Sequence, residues 1–160
     1  MIKQFFDEPS SSFTYLVTSQ EQKAFLVDPV LDNNKIYQNF ISQNSLKLSF
    51  ILETHTHADH ITGAAALNDI YDCKTFCGLG SSSKDIEMVC DGQEIFLDNL
   101  CIKALYTPGH TDDSFSYLLK YSEDCYLFSG DTLLINGCGI TDFQNGDPEH
   151  LYDSINQKLF

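Results

Sequence analysis

Arginine is absent from this chain of 160 residues, so its nine basic side chains are all lysines. With 23 acidic residues, the formal net charge is −14. Nucleic acids and anionic membrane surfaces both require a basic protein surface, and this composition therefore argues against partners of either kind. A small anionic substrate remains compatible with such a chain, because a bound metal ion reverses the local charge.

Long apolar segments are also missing. No run approaches the roughly 18 to 20 apolar residues that a membrane-spanning helix needs, and the N-terminus lacks the basic start and apolar stretch of an export signal. The six cysteines are irregularly spaced, which favours reduced thiols over a disulfide framework. We therefore expect a cytoplasmic protein, and the length predicts a single domain over residues 1–160.

Histidine, by contrast, is concentrated at a few positions. Three of the five histidines and one aspartate lie in the stretch His55–His60, whose sequence is His-Thr-His-Ala-Asp-His. A fourth histidine, His110, lies in Thr-Pro-Gly-His-Thr, and Asp131 ends the segment Phe-Ser-Gly-Asp. Imidazole and carboxylate groups hold zinc or non-haem iron while leaving coordination positions open. Because burying several imidazoles without partners is costly and a cation removes that cost, the pattern predicts a metal centre.

Strands and helices are predicted to follow each other in a mixed α/β order. Apolar, β-rich runs predict strands over residues 13–18, 23–27, 46–52, 74–77, 94–97, 100–106, 115–121 and 125–129. Helical spacing predicts helices over residues 33–43 and 61–71, and a last one after the Asp147-Pro148 start signal, with His150 on its surface. Each candidate ligand segment follows a strand, where a rigid sheet can direct side chains from distant segments to one point.

The motifs resemble those of the metallo-β-lactamase superfamily, whose signature is His-X-His-X-Asp-His with a later His and a later Asp. The likeness is closest to its persulfide dioxygenases (sulfur dioxygenases), with the glyoxalase II hydrolases nearby. It depends most on the segment Gly137–Phe143, Gly-Cys-Gly-Ile-Thr-Asp-Phe. The resemblance implies an αββα sandwich of mixed β-sheets flanked by helices. Family members continue for several tens of residues beyond the equivalent of Phe160, so we expect an incomplete second half and a homodimer that covers the open sheet edge.

For the dioxygenase branch, the resemblance implies one Fe(II) per chain, held by His55, His110 and Asp131 on one face of the metal. The implied reaction converts glutathione persulfide, or a related thiol persulfide, with O2 and water to the thiol and sulfite. Three further residues would then orient the ligands through hydrogen bonds: His57, Asp59 and His60.

Two alternatives stay open. The first is a glyoxalase II-type thioester hydrolase (hydroxyacylglutathione hydrolase) with one or two Zn(II) ions, in which a metal-bridging water is the nucleophile. Six residues would then hold two metals: His55, His57 and His110 on one, Asp59 and His60 on the other, and Asp131 between them. Asp59 and His60 are therefore our candidates for a catalytic role beyond the ligand triad. The second alternative is a truncated metal-binding homologue with impaired catalysis.

Two residues after the metal aspartate are candidates for substrate binding, Cys138 and Ile140. The dioxygenases usually carry arginine at the position of Ile140, where it is associated with the glutathione moiety. Isoleucine cannot form the bidentate pair with a carboxylate that a guanidinium forms, so we expect weak glutathione binding or another thiol persulfide as substrate. Cys138 is expected to be either a thiol near the sulfur substrate or a small buried residue between two glycines.

Overall fold

Strands make up most of the regular structure. The computed structural model describes residues 1–78, 83–142 and 144–160. Its strands are β1 (Ile2–Asp7), β2 (Ser12–Thr18), β3 (Lys23–Val27), β4 (Lys47–Leu52), β5 (Lys74–Cys77), β6 (Ile86–Met88), β7 (Glu94–Leu97), β8 (Leu100–Tyr106), β9 (Phe115–Tyr121) and β10 (Asp124–Phe128). Its helices are α1 (Asn34–Gln43), α2 (Ala64–Tyr71) and α3 (Pro148–Asp153), and α3 continues into a π-helical segment, Ser154–Leu159.

In the described part of the chain these strands form two sheets. The larger sheet has the order β1-β2-β3-β4-β5-β6, antiparallel from β1 to β3 and parallel from β3 to β6. The smaller sheet is antiparallel throughout, with the order β10-β9-β8-β7. The predicted fold class, a mixed α/β sandwich of sheets and flanking helices, is confirmed.

The alternation of side chains along each strand builds the layers. In β2, Leu16 and Val17 are both buried but point to opposite faces of the larger sheet. Val17 joins the core between the two sheets, whereas Leu16 packs in a second core with Tyr37 of α1 and Leu67 of α2. Because the central strands of the larger sheet are covered on both faces, they are nearly continuous apolar runs.

The core between the sheets provides a test of the fold. Ile102 of β8 is fully buried there. We expect Ile102→Ala to lower the free energy of unfolding by about 2–5 kcal/mol, because the substitution leaves a cavity that neighbouring side chains fill only in part. Ile36 of α1 is 51% exposed, so Ile36→Ala is the control, with an expected change within about 0.5 kcal/mol. Urea denaturation measures both, and equal losses would contradict this assignment of the core.

Helix α2 begins later than predicted, at Ala64 rather than at residue 61. The preceding residues are held by the loop that follows β3: Leu31 N donates to Ile61 O at 2.9 Å, and Gly63 N donates to Pro29 O at 2.6 Å. These hydrogen bonds keep residues 61–63 out of the helix.

At the other end of the chain His150 is exposed, as predicted. The spacing of Leu151, Ile155 and Leu159, four residues apart, predicts that this helix buries all three; Leu151 is buried, but Ile155 and Leu159 are only half-buried.

The order of the strands brings the candidate ligand segments to one end of the sandwich. Strands β3 and β4 are parallel, so Asp28 and the stretch Glu53–His55 leave the same edge of the larger sheet. Strands β8 and β10 both run antiparallel to β9, and their ends lead to His110 and Asp131. A hydrogen bond of 2.7 Å from Phe115 N to the carbonyl oxygen of Thr54 connects this end of the smaller sheet to the same end of the larger sheet.

Candidate metal centre

The three segments predicted to share a metal do converge. His55, His110 and Asp131 each offer a ligand atom within 4.8 Å of the others. The rings of His55 and His110 lie 4.9 Å apart between centroids, and His110 Nε2 lies 3.5 Å from Asp131 Oδ2. Both imidazoles are buried, whereas the aspartate is half-buried.

A second cluster adjoins the first. His57, Asp59 and His60 also offer ligand atoms within 4.8 Å of one another. The ring of His57 lies 4.2 Å from that of His55 on one side and 4.2 Å from that of His60 on the other. The imidazoles therefore form a continuous row from His110 to His60, with a carboxylate near each end.

Thr54 orients His55. The Thr54 hydroxyl donates to Asp28 Oδ2 at 2.8 Å, so it accepts from His55 Nδ1 at 2.9 Å. The proton on Nδ1 leaves Nε2 as the nitrogen available to a metal. Burial, followed by the charge of His57, lowers the pKa of His55 to about 4. His55 is thus neutral at physiological pH, and neutral imidazole is the form that binds metals.

Two buried carboxylates face His57. Its Nε2 lies 3.3 Å from Asp28 Oδ1 and 3.4 Å from Glu53 Oε2, as ion-pair contacts rather than well-directed hydrogen bonds. Burial opposes a charge on His57, but the two carboxylates outweigh it and raise its pKa to about 11. Burial also raises the pKa of Glu53, whereas His57 lowers that of Asp28 against the effect of burial. With Nε2 turned toward these carboxylates, His57 Nδ1 faces Asp59, 3.9 Å from its Oδ1.

The main chain after Asp131 orients His110. His110 Nδ1 donates to the carbonyl oxygen of Ile140 at 2.6 Å, which turns Nε2 toward Asp131. Gly139 N donates to the carbonyl of Asp131 at 2.6 Å. On the other side, Gly130 has φ of +48°, and a Cβ there would lie 2.4 Å from Thr54 Oγ1. Only glycine allows the Asp131 turn to approach Thr54 so closely.

His60 carries a buried nitrogen without a partner. Ser12 Oγ donates to Asp59 Oδ2 at 2.6 Å, and Asp59 Oδ1 lies 3.2 Å from His60 Nδ1. Burial opposes ionisation of Asp59, but the bond from Ser12 and the contact with His60 lower its pKa. His60 Nε2 makes no hydrogen bond to any described residue, although its side chain is only 4% exposed. A buried polar atom without a hydrogen-bond partner lowers the stability of the folded state by about 1–3 kcal/mol, and a cation bound at this nitrogen removes that cost.

A pocket of about 450 Å³ opens beside this row of imidazoles, a size that suits a small-molecule substrate. Its lining includes His55, His57 and His60, together with Asn68 of α2 and Thr75 of β5. His55, His57 and His60 thus form one wall of a concavity that reaches along the larger sheet.

The two predicted substrate residues are both exposed. Cys138 is exposed, so the expectation of a small buried residue between two glycines is wrong. Ile140 is 58% exposed, and its own carbonyl oxygen accepts the hydrogen bond from His110. Phe143, the last residue of the recognised motif, lies outside the described residues.

Several residues of the site were not predicted, above all Asp28, Glu53 and Ser12. Asp28 and Glu53 each follow an apolar strand directly, and a carboxylate at that position was the available signal. Ser12 gives no such signal, because it lies at the start of an ordinary strand.

Comparison with known proteins identifies the superfamily to which the chain belongs. The profile of the metallo-beta-lactamase superfamily matches residues 7–80. The crystal structure of ETHE1 from Myxococcus xanthus superposes with a TM-score of 0.92 at 40% sequence identity, covering 99% of this chain and 69% of that one. The chain belongs to the metallo-β-lactamase superfamily, as the resemblance predicted.

Within the superfamily, the chain is similar both to persulfide dioxygenases and to glyoxalase II-like hydrolases. Human persulfide dioxygenase ETHE1, mitochondrial, is 35% identical over 162 residues, which cover 100% of this chain and 63% of the relative. The hydroxyacylglutathione hydrolase of Francisella philomiragia is 35% identical over 153 residues, covering 94% of this chain and 59% of the relative. The chain thus spans 63% of the length of the ETHE1 relatives that it matches.

Proposed function

We propose that this chain carries the metal centre of a persulfide dioxygenase, with one Fe(II) held by His55, His110 and Asp131. The observation that carries the proposal is the convergence of two imidazoles and one carboxylate, the ligand set of non-haem iron oxygenases with open positions. In the proposed reaction R-S-SH, O2 and H2O give R-SH, SO3²⁻ and two protons. The outer sulfur of the persulfide is oxidised, and both atoms of O2 are reduced into sulfite.

The donor set fits a resident metal ion. Hydrogen bonds engage the Nδ1 atoms of His55 and His110, so that both Nε2 atoms are free. The unpartnered Nε2 of His60 lies at the other end of the row, where a cation would belong to the second cluster rather than to the triad. The chemistry that iron supplies when bound is redox activation of O2 next to a sulfur substrate.

The chain's own residues position the donors. Asp28 holds His55 through Thr54, and the carbonyl of Ile140 holds His110. These contacts fix both ring planes before substrate arrives, which reduces the ordering that the reaction requires. His57 bridges the two clusters, and its charge is balanced by buried carboxylates.

Ile140 sets the expected preference for the thiol carrier. We expect Ile140→Arg to lower KM for glutathione persulfide by about 10-fold or more without changing kcat, because a guanidinium adds a charge-assisted bidentate pair with a substrate carboxylate. Oxygen-consumption kinetics measure both constants. Ile135, 93% exposed in the same loop, is the control, since Ile135→Arg adds the same charge without a site contact. An unchanged KM in Ile140→Arg would contradict binding of the carrier beside residue 140.

A second candidate function is thioester hydrolysis of the glyoxalase II type, with one or two Zn(II) ions. The specific observation in its favour is the adjacent cluster of His57, Asp59 and His60, which brings the two ligands expected for a second metal, Asp59 and His60, next to His57 of the first set. In that case Asp131 would bridge the two metals, and Asp59 and His60 would take part directly in the catalytic site. Similarity to a hydroxyacylglutathione hydrolase supports the same candidate.

Metal analysis combined with two assays separates these functions. Protein purified without added metal is expected to contain one iron per chain and to consume O2 with glutathione persulfide. Two zinc ions with hydrolysis of a hydroxyacylglutathione thioester would overturn the dioxygenase in favour of the hydrolase. Bound metal without either activity would instead support a metal-binding homologue with impaired catalysis.

We further propose that the chain acts in the cytoplasm as a single domain that forms a homodimer. The irregular spacing of the six cysteines supports a reducing compartment. No helix in residues 1–78, 83–142 or 144–160 has the length and apolar character to cross a bilayer. Phe96 and Leu127 are 64% and 36% exposed on the two edge strands of the smaller sheet, β7 and β10, and exposed apolar side chains at these edges support a dimer that covers an open sheet edge. Sedimentation equilibrium tests for it directly.

A further inference from the structure

Asp113 joins the two loops that carry the candidate histidine ligands. Its carboxylate is only 8% exposed and lies between Thr56, which separates His55 from His57, and Thr111, which follows His110.

The contacts use both carboxylate oxygens. Asp113 Oδ2 accepts from Thr56 N at 3.1 Å and from Thr56 Oγ1 at 2.6 Å. Asp113 Oδ1 accepts from Thr111 Oγ1 at 2.6 Å, and the Thr111 hydroxyl also contacts Ser114 Oγ at 2.7 Å. A buried carboxylate with three such bonds is held firmly, because hydrogen bonds to an ionised acceptor are about twice as strong as neutral ones.

These bonds act on the backbone of the ligand loops. Thr56 is fixed through its own N–H, so the peptide between His55 and His57 cannot rotate without breaking a bond to Asp113. Thr111 is fixed one residue after His110. Asp113 therefore sets the separation of the two loops, and with it the distance between the rings of His55 and His110.

We propose that Asp113 is a positioning residue that preassembles the metal centre by fixing both histidine loops. This inference rests on the proposed metal centre and goes beyond it, because Asp113 offers no ligand atom in the clusters described above. Its contribution appears in metal affinity, since a ligand set that must be assembled during binding binds more weakly than one that is already in place.

The test measures zinc(II) affinity by competition with a chromophoric chelator, alongside the urea midpoint of the metal-free protein. Asp113→Ala is expected to weaken zinc binding by about 10-fold or more. Asp113→Asn should fall between Asp113→Ala and the unsubstituted chain, because its amide oxygen still accepts from Thr56 and the Thr111 hydroxyl can turn to accept. Asp112→Ala is the matched control, since Asp112 is the exposed neighbour and its carboxylate accepts a hydrogen bond from Asn145, which is itself exposed.

The affinity separates positioning from a purely structural role. If Asp113→Ala lowers the urea midpoint but the folded protein binds zinc within twofold of the unsubstituted chain, the inference is overturned while the metal centre stands. If the unsubstituted chain itself binds no zinc, the metal centre is wrong as well. Should Asp113→Ala fail to fold, Asp113→Asn and Thr56→Val decide: each is expected to weaken binding about two- to fivefold, and unchanged affinity in both would overturn the proposal.

Discussion

Replacing His110 with alanine is expected to abolish stoichiometric metal binding and all turnover. His110 supplies one of the two imidazoles of the proposed triad, and its Nε2 faces Asp131 at 3.5 Å. Loss of a residue that merely supports a ligand typically costs about 10- to 100-fold in metal affinity, so loss of a ligand itself should exceed about 100-fold. Elemental analysis measures the metal content, zinc competition the metal affinity and oxygen consumption the turnover. Asp131→Ala should cause the same losses.

His150→Ala is the matched control for this prediction. This substitution also removes an imidazole, but from the exposed surface of α3, and it should change neither metal content nor turnover. Full iron content and turnover in Asp131→Ala, or in His110→Ala, would show that the triad is assigned to the wrong residues.

Replacing Gly139 with alanine is expected to reduce metal affinity and activity at least about tenfold, by displacing both groups that it contacts. A Cβ at this position would lie 2.6 Å from the Asp131 carbonyl oxygen and 2.6 Å from His110 Nδ1. Neither neighbour is the flexible end of a side chain, so the loop itself must move. That movement strains the bond from Gly139 N to Asp131 and separates the two ligands.

Gly137 provides the comparison two residues earlier in the same loop. A Cβ there would meet nothing within 4 Å, so Gly137→Ala should keep metal affinity and activity. Zinc competition on both variants, with the midpoint of thermal unfolding as a folding check, decides the outcome. Equal affinities for the two variants would mean that the loop yields without moving His110 or Asp131.

The strands that the sequence predicted well are those with a strong apolar pattern and a clear turn signal. The hairpin of β2 and β3 and the strands β8 and β9 lie within a residue of the predicted bounds. β1 was missed because it is an edge strand in which only Asp7 is buried, so no apolar face marks it. β6 was missed because it is three residues long.

The candidate site, too, was predictable from the sequence only in part. The residues themselves predicted that the segments with His55, His110 and Asp131 converge, because each follows a strand and carries metal-binding side chains. The choice of these three as one ligand triad came from the family resemblance. The pairing of Asp28 and Glu53 with His57 was not predictable in this way. It depends on β3 and β4 lying side by side and parallel, and local sequence does not state which strands are adjacent.

The bond from His110 to residue 140 runs to a main-chain oxygen. Any amino acid at this position presents the same carbonyl, while its side chain projects outward. In the proposed dioxygenase, substitutions at residue 140 should therefore change which carrier molecule binds while the orientation of His110 is kept. Saturation mutagenesis at this position, with carrier preference and metal content measured for each variant, tests that separation.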